Sequence, residues 1–133
     1  MTDTIVTLQD MFVTYVAGAK GKPIAVQAPR AMQELEAGLA SLKGRKFYGV
    51  VVGDEYRACV TLDRAEAPPY QFPTWTIPGG RYARRRIRDY QTDLSLIGKA
   101  VHELRRRPDA DPSRPAIEFY RSRNEVLIMV AVT

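Results

Sequence analysis

An α+β fold made of a duplicated strand–helix–strand–strand unit, with one antiparallel sheet, two helices on one face and a central ligand cleft, is what this 133-residue sequence predicts. Three observations predict it. Two amphipathic stripes share one spacing, a β-rich segment precedes each, and a hairpin pattern follows each. The length fits one domain over residues 1–133, with repeat one near 10–63 and repeat two near 73–132. Between them, Asp63 to Phe72 is rich in proline and alanine and reads as a linker.

Each element has its own justification. Met11 to Ala17 is β-branched and aromatic, and Gly18 ends it. From Arg30 to Lys43 the residues Met32, Leu35, Leu39 and Leu42 are spaced 3, 4 and 3, one face of a helix; Pro29 suits its first turn and Gly44 its end. Phe47 to Val52 and Tyr56 to Leu62 flank the short connection Gly53-Asp54-Glu55. Pro73 to Ile77 and Arg81 to Ile87 form an extended stretch broken at Pro78-Gly79-Gly80. From Asp93 to Arg107, Leu94, Ile97, Val101 and Leu104 repeat the 3, 4, 3 stripe. Thr92 suits its N-cap, Asp93 the positive end of the helix dipole and Arg105, Arg106 and Arg107 the negative end, and Pro108 stops it. Ala116 to Arg121 and Glu125 to Val132 flank Ser122-Arg123-Asn124, a second hairpin. Each hairpin alone leaves edges open; pairing the two units closes them and leaves a groove at the pseudo-symmetry axis.

Composition narrows the function classes. Apolar residues are 45% and charged residues 26%, values of an ordinary globular protein. No run reaches the roughly 18 apolar residues of a membrane helix, and Met1 to Asp10 lacks the pattern of a signal peptide, so a cytoplasmic protein without membrane attachment is expected. Cys59 is the single cysteine, which excludes an internal disulfide; His102 is the single histidine, which argues against a histidine metal site, and no metal or cofactor is expected. Charge is uneven: Arg81 to Arg107 holds nine Lys/Arg and three Asp/Glu, +6 against +5 for the whole chain. Nothing beside that stretch reads bases, so nucleic acid is not the expected partner, and Arg84, Arg85 and Arg86 are expected in solvent. Oligomeric state, a homodimer included, stays open.

Two segments could carry chemistry. In Pro115-Ala116-Ile117-Glu118-Phe119-Tyr120, strand alternation puts Ile117 and Phe119 on one face and Glu118 and Tyr120 on the other. The larger apolar pair should face the helices, leaving the carboxylate and phenol on the opposite side of the sheet, able to meet one ligand. The same alternation also describes a plain surface strand with Glu118 in water. In Trp75-Thr76-Ile77-Pro78-Gly79-Gly80-Arg81-Tyr82-Ala83, a turn places Tyr82 on the next strand, so Trp75, Tyr82 and Tyr120 could form an aromatic wall; a lone tryptophan is more often core than ligand cage. Cys59, flanked by Ala58 and Val60, reads as a buried inert thiol, His102 as a flank residue, and Met11, Met32 and Met129 as core.

Ile77-Pro78-Gly79-Gly80-Arg81-Tyr82-Ala83, a helix some ten residues on, and Arg114-Pro115-Ala116-Ile117-Glu118-Phe119-Tyr120 together resemble the GyrI-like small-molecule-binding domain, the effector-binding part of some AraC-type and MerR-type regulators. Phe47-Tyr48-Gly49-Val50 with Asp54-Glu55-Tyr56 resembles that family's first-half hairpin. The resemblance runs from about Met11 to Val132. It implies a duplicated unit with an aromatic-lined pocket between repeats, Glu118 in that pocket, and Tyr120, Tyr82, Trp75 and Phe47 as further ligand contacts. In some members the matching glutamate meets lipophilic cations, which implies a lipophilic or aromatic small-molecule partner and multidrug-type binding. Other members are hydrolases of strained electrophilic natural products, for which Glu118 with Tyr82 or Tyr120 would be catalytic; others bind gyrase. One departure stands out: Arg84, Arg86 and Arg88 alternate onto the face of Tyr82, and a pocket on that face would repel a cation.

Overall fold

The computed structural model describes residues 3–39, 41–42, 44–62 and 71–133. Most of the expected linker, residues 63–70, and the expected helix end at Lys43 lie outside them. The chain runs β1 (Thr4–Leu8), β2 (Met11–Ala17), α1 (Ile24–Ala37), β3 (Phe47–Val52), β4 (Glu55–Thr61), β5 (Thr74–Ile77), β6 (Gly80–Arg88), a 3-10 turn (Tyr90–Thr92), α2 (Ser95–Arg105), β7 (Ala116–Ser122) and β8 (Glu125–Ala131). All eight strands form one antiparallel sheet in the order β1-β6-β8-β7-β3-β4-β2-β5.

That order is a palindrome. β2, β4 and β3 of the first half mirror β6, β8 and β7 of the second, and β3 pairs with β7 at the centre. Two short strands extend the symmetry by exchange: β1 leads into β2 but pairs with β6, and β5 leads into β6 but pairs with β2. β1, in a segment the sequence reading left polar and unassigned, is five residues long and exists through its partner. Where the connections cross, the Gly79 N–H donates to Asp10 Oδ1 at 2.6 Å, and a Cβ on Gly79 would overlap the Leu8 carbonyl oxygen and sit 2.7 Å from the Gln9 carbonyl carbon. Arg114 locks the crossing by donating to the carbonyls of Gly79, Arg81 and Val132. The Pro-Gly-Gly and Arg-Pro motifs are therefore structural.

The sheet curls, and each face has its own core. The face away from the helices closes on itself around Val13, Val50, Ile77, Tyr82, Ile117 and Met129. On the other face, α1 packs on β2 and β4 through Ala31 and Leu35, and α2 packs on β6 and β8 through Ala100 and Leu104. No described helix is long and apolar enough to cross a membrane.

Three local expectations change. α1 lies about one and a half turns earlier than the Arg30–Lys43 stripe suggested. Pro29 sits inside it rather than in its first turn, and Gly38, not Gly44, caps it. Gly38 has no side chain where the Phe72 ring packs: a Cβ there would overlap the ring. The Leu35 side of the stripe is core, while Leu42 is 45% exposed beyond the helix end. Thr92 belongs to the 3-10 turn, and it is Asp93 Oδ1 that accepts the Ser95 N–H at 3.1 Å. Arg85 is not in solvent either: it shares the helix face, donates to Asp3 at 2.8 and 3.0 Å and to Glu103 at 2.7 Å, and ties β1 to α2.

Candidate functional site

Because α1 covers one half of the sheet and α2 the other, the central strands β3 and β7 stay uncovered between them. The gap is a cavity of about 780 Å³, a size suited to a drug-like molecule. Ile24, Ala28 and Met32 of α1 form one wall, Ile97 and Gly98 of α2 the other, Tyr90 and Leu94 the rim, and Phe47, Tyr56, Glu118 and Tyr120 the floor. Gly98 faces open space, and Leu94 is 64% exposed.

Glu118 is the chemical centre. It is 6% exposed, and the Tyr120 hydroxyl donates to its Oε1 at 2.6 Å. Burial pushes the Glu118 carboxyl above its ordinary value, and the Tyr120 hydrogen bond opposes that shift. The Tyr120 phenol is driven far upward by burial and then by the Glu118 charge; the Tyr56 phenol follows for the same two reasons. Neither phenol ionises at physiological pH, so both serve as donors.

The lining has no positive group: Glu118 and Glu36 are its charged residues, with no Lys, Arg or His among the described ones. Pro29 has no N–H for the carbonyl of Ala25 four residues back, and both residues line the cavity. An apolar cleft whose charged groups are both carboxylates can take a positively charged guest. Among the described residues, no group of three or more His, Cys, Asp and Glu could hold a metal.

The cleft brings Glu118, Tyr120 and Phe47 together. It does so on the helix side of the sheet, the reverse of the expected side. Ile117 and Phe119 instead take the self-closed face, which buries its residues without any helix and so receives the larger apolar pair. Tyr82 lies on that closed face, fully buried, its hydroxyl donating to the Pro78 carbonyl at 2.6 Å and its ring under Arg114. The sheet separates it from Glu118. Trp75 is on the closed face too, half-buried beside Tyr15 and Arg57, and it borders a second cavity of about 600 Å³. Arg84 opposes Met129 and Tyr82 opposes Ala131 in register, so the arginines that alternate with Tyr82 also point away from the cleft. They do not repel a cation there.

Tyr56, Tyr90 and Gly98 were not singled out from the sequence. Tyr56 carried a signal: it alternates with Ala58 and Val60, and two small or β-branched neighbours leave room for a helix above them.

No family model matches the chain, and no curated protein matches it. Solved structures do. An integron cassette protein from the mobile metagenome of Vibrio cholerae superposes with a TM-score of 0.74 at 16% identity, over 98% of this chain and 95% of that one. The protein SAV2435, solved with bound tetraphenylphosphonium, gives 0.68 at 17% identity over 100% of this chain and 94% of its own. A candidate transcription regulation protein from Staphylococcus aureus MU50 gives 0.60 at 11% identity over 100% and 99%. At these identities the likeness is one of fold, and it spans the chain.

Proposed function

We propose that this chain is a single-domain binding module of the GyrI-like type for a lipophilic, aromatic cation, seated between α1 and α2 with its positive centre on Glu118. One observation carries the reading: a nearly buried carboxylate at the floor of an apolar cleft that has no positive lining residue. Holding a bare carboxylate out of water costs several kcal/mol unless a counter-charge meets it. A guest cation supplies that charge, and the rings of Phe47, Tyr56, Tyr90 and Tyr120 supply π faces around it. The bound tetraphenylphosphonium of SAV2435 supports this reading through the shared fold.

The test is a calorimetric titration with tetraphenylphosphonium and with neutral triphenylphosphine oxide. The parent should prefer the cation, and Glu118→Gln should weaken cation binding roughly ten- to a hundredfold while leaving the neutral probe unchanged. Equal affinity of parent and Glu118→Gln for the cation, or no cation binding at all, would overturn the assignment.

A further inference from the structure

We infer that the second cavity, where the end of α2 meets the 109–115 loop and β5, is a binding site for a small aromatic anion such as an aryl carboxylate, its charge on Arg105 and its ring beside Trp75. This site is separate from the cleft of Glu118, and the inference does not rest on the cation reading.

The chain builds this cavity by turning back onto the sheet after α2. Pro108 follows the helix end at Arg105 and bars its continuation. The segment beyond is tied to the last strand. The Asp111 N–H donates to the Ala131 carbonyl at 2.8 Å, the Thr133 N–H donates to the Asp109 carbonyl at 2.8 Å, and Ala110 forms a β-bridge with Val132. Within the loop, Asp111 Oδ1 accepts the N–H and the hydroxyl of Ser113, at 3.0 and 2.6 Å. A loop fixed in this way holds its wall in place before any guest arrives. With Trp75, Thr76 and Pro78 it encloses about 600 Å³, room for a small organic molecule.

The charge of the lining sets the sign of the guest. Arg105, Arg107 and Arg114 stand against one carboxylate, Asp111, among the described lining residues. Two of these arginines hold the wall together. Arg107 donates to both carboxylate oxygens of Asp109, at 2.9 and 3.1 Å. Arg114 donates to Asp111 at 3.0 Å and to the carbonyls of Gly79, Arg81 and Val132. Arg105 makes no hydrogen bond or ion pair with any described residue, and neither does the Thr76 hydroxyl of β5. The carbonyls of Glu103 and Leu104, which would repel an anion at this end of α2, are taken by the N–H groups of Arg106 and Arg107. A guanidinium fork matches the two oxygens of a carboxylate. Beside these donors, Trp75 with Pro78, Pro112 and Pro115 offers apolar surface to a flat ring. An inorganic anion would leave that surface in water, and a neutral ring would leave Arg105 unmet. The two cavities thus carry opposite signs: carboxylates line one, arginines the other.

The experiment is a calorimetric titration of the full chain with 4-nitrobenzoate and with its neutral counterpart 4-nitrobenzamide, followed in parallel by the emission of Trp75. The parent should prefer the anion, and its binding should quench Trp75 with the midpoint that the heat gives. Arg105→Gln should weaken the anion about tenfold and Arg105→Lys by about threefold or less, with the amide unchanged in both. Saturating tetraphenylphosphonium should leave anion binding as it was. No anion binding, equal affinity for anion and amide, parental anion affinity in Arg105→Gln, heat without quenching, or displacement of the anion by tetraphenylphosphonium overturns the inference. None of these outcomes touches the cation reading, which is decided by Glu118→Gln in the other cleft.

Discussion

Gly49 and Glu118 face each other across β3 and β7, and the side chain missing from Gly49 is replaced by the ring of Tyr56. The floor of the cleft thus depends on a glycine for space rather than for backbone freedom. Gly49→Ala should push Tyr56 off the strand. The expected cost is about 1–3 kcal/mol, the usual range for overpacking a filled site, read as a lower urea midpoint at unchanged slope. Tetraphenylphosphonium affinity should fall with it, because Tyr56 lines the cleft floor and would be displaced. A variant with parental midpoint and affinity would mean that Tyr56 relocates freely and holds nothing.

Glu118 should oppose the stability of the empty protein at neutral pH. Burial raises its folded value above the ordinary 4.5 of the unfolded chain. A group shifted upward on folding contributes stability that is fully present below the unfolded value and lost as pH rises through the folded one. Glutamine keeps the shape and does not titrate. The melting temperatures of parent and Glu118→Gln should therefore nearly coincide at pH 4 and separate by pH 8, with the glutamine variant higher by several degrees. A constant gap across that range would show that Glu118 ionises no differently in the folded chain.

The sheet, both hairpins and α2 were legible because their signals are local: alternation, turn residues and the stripe ending at Leu104. β1 was not, since Thr4–Leu8 is a five-residue edge strand whose pairing with β6 is entirely long-range. α1 was misplaced because Pro29 was read as a start signal, whereas the packing of Ala31 and Leu35 keeps the helix intact around it. The site was half legible. Alternation put Glu118 and Tyr120 together, but it could not say which face lay under the helices. That depends on the curl of the sheet, which gives the concave side a closed core of its own and moves Tyr82 and Trp75 out of the cleft.

Gly98 lies in the middle of α2 with nothing within 4 Å of where its Cβ would be, and it lines the cleft. Glycine in a helix interior costs about 0.5–1 kcal/mol relative to alanine, and no packing demand explains it here. Its bareness widens the cleft. Gly98→Ala should accordingly stabilise the protein by roughly that amount in denaturant titration. Gly98→Leu should narrow the cavity and weaken a bulky probe such as tetraphenylphosphonium by tenfold or more, while a slimmer cation such as benzyltrimethylammonium loses little. Equal losses for the two cations would place the guest away from the α2 wall.

Trp75 is the single tryptophan, and with the guest seated between α1 and α2 as proposed it would report on structure rather than touch the guest. Its ring meets Tyr15 edge-on at 6.3 Å, and the Arg57 guanidinium carbon lies 4.6 Å from the centres of both rings. Arg57 is itself held by Glu55 at 2.7 Å. The aromatic pair that could have caged a guest cation is thus filled by the chain's own arginine, on the face of the sheet opposite Glu118. Tetraphenylphosphonium bound in the cleft should leave tryptophan emission nearly unchanged. Trp75→Phe should keep the parental dissociation constant within about twofold, because it touches neither the cleft nor its charge, yet lower stability by roughly 1–2 kcal/mol through the weaker cation–π contact and lost packing. Strong quenching of Trp75 on cation binding, or a tenfold loss of affinity in Trp75→Phe, would move the site to the closed face and against the assignment made here to Glu118.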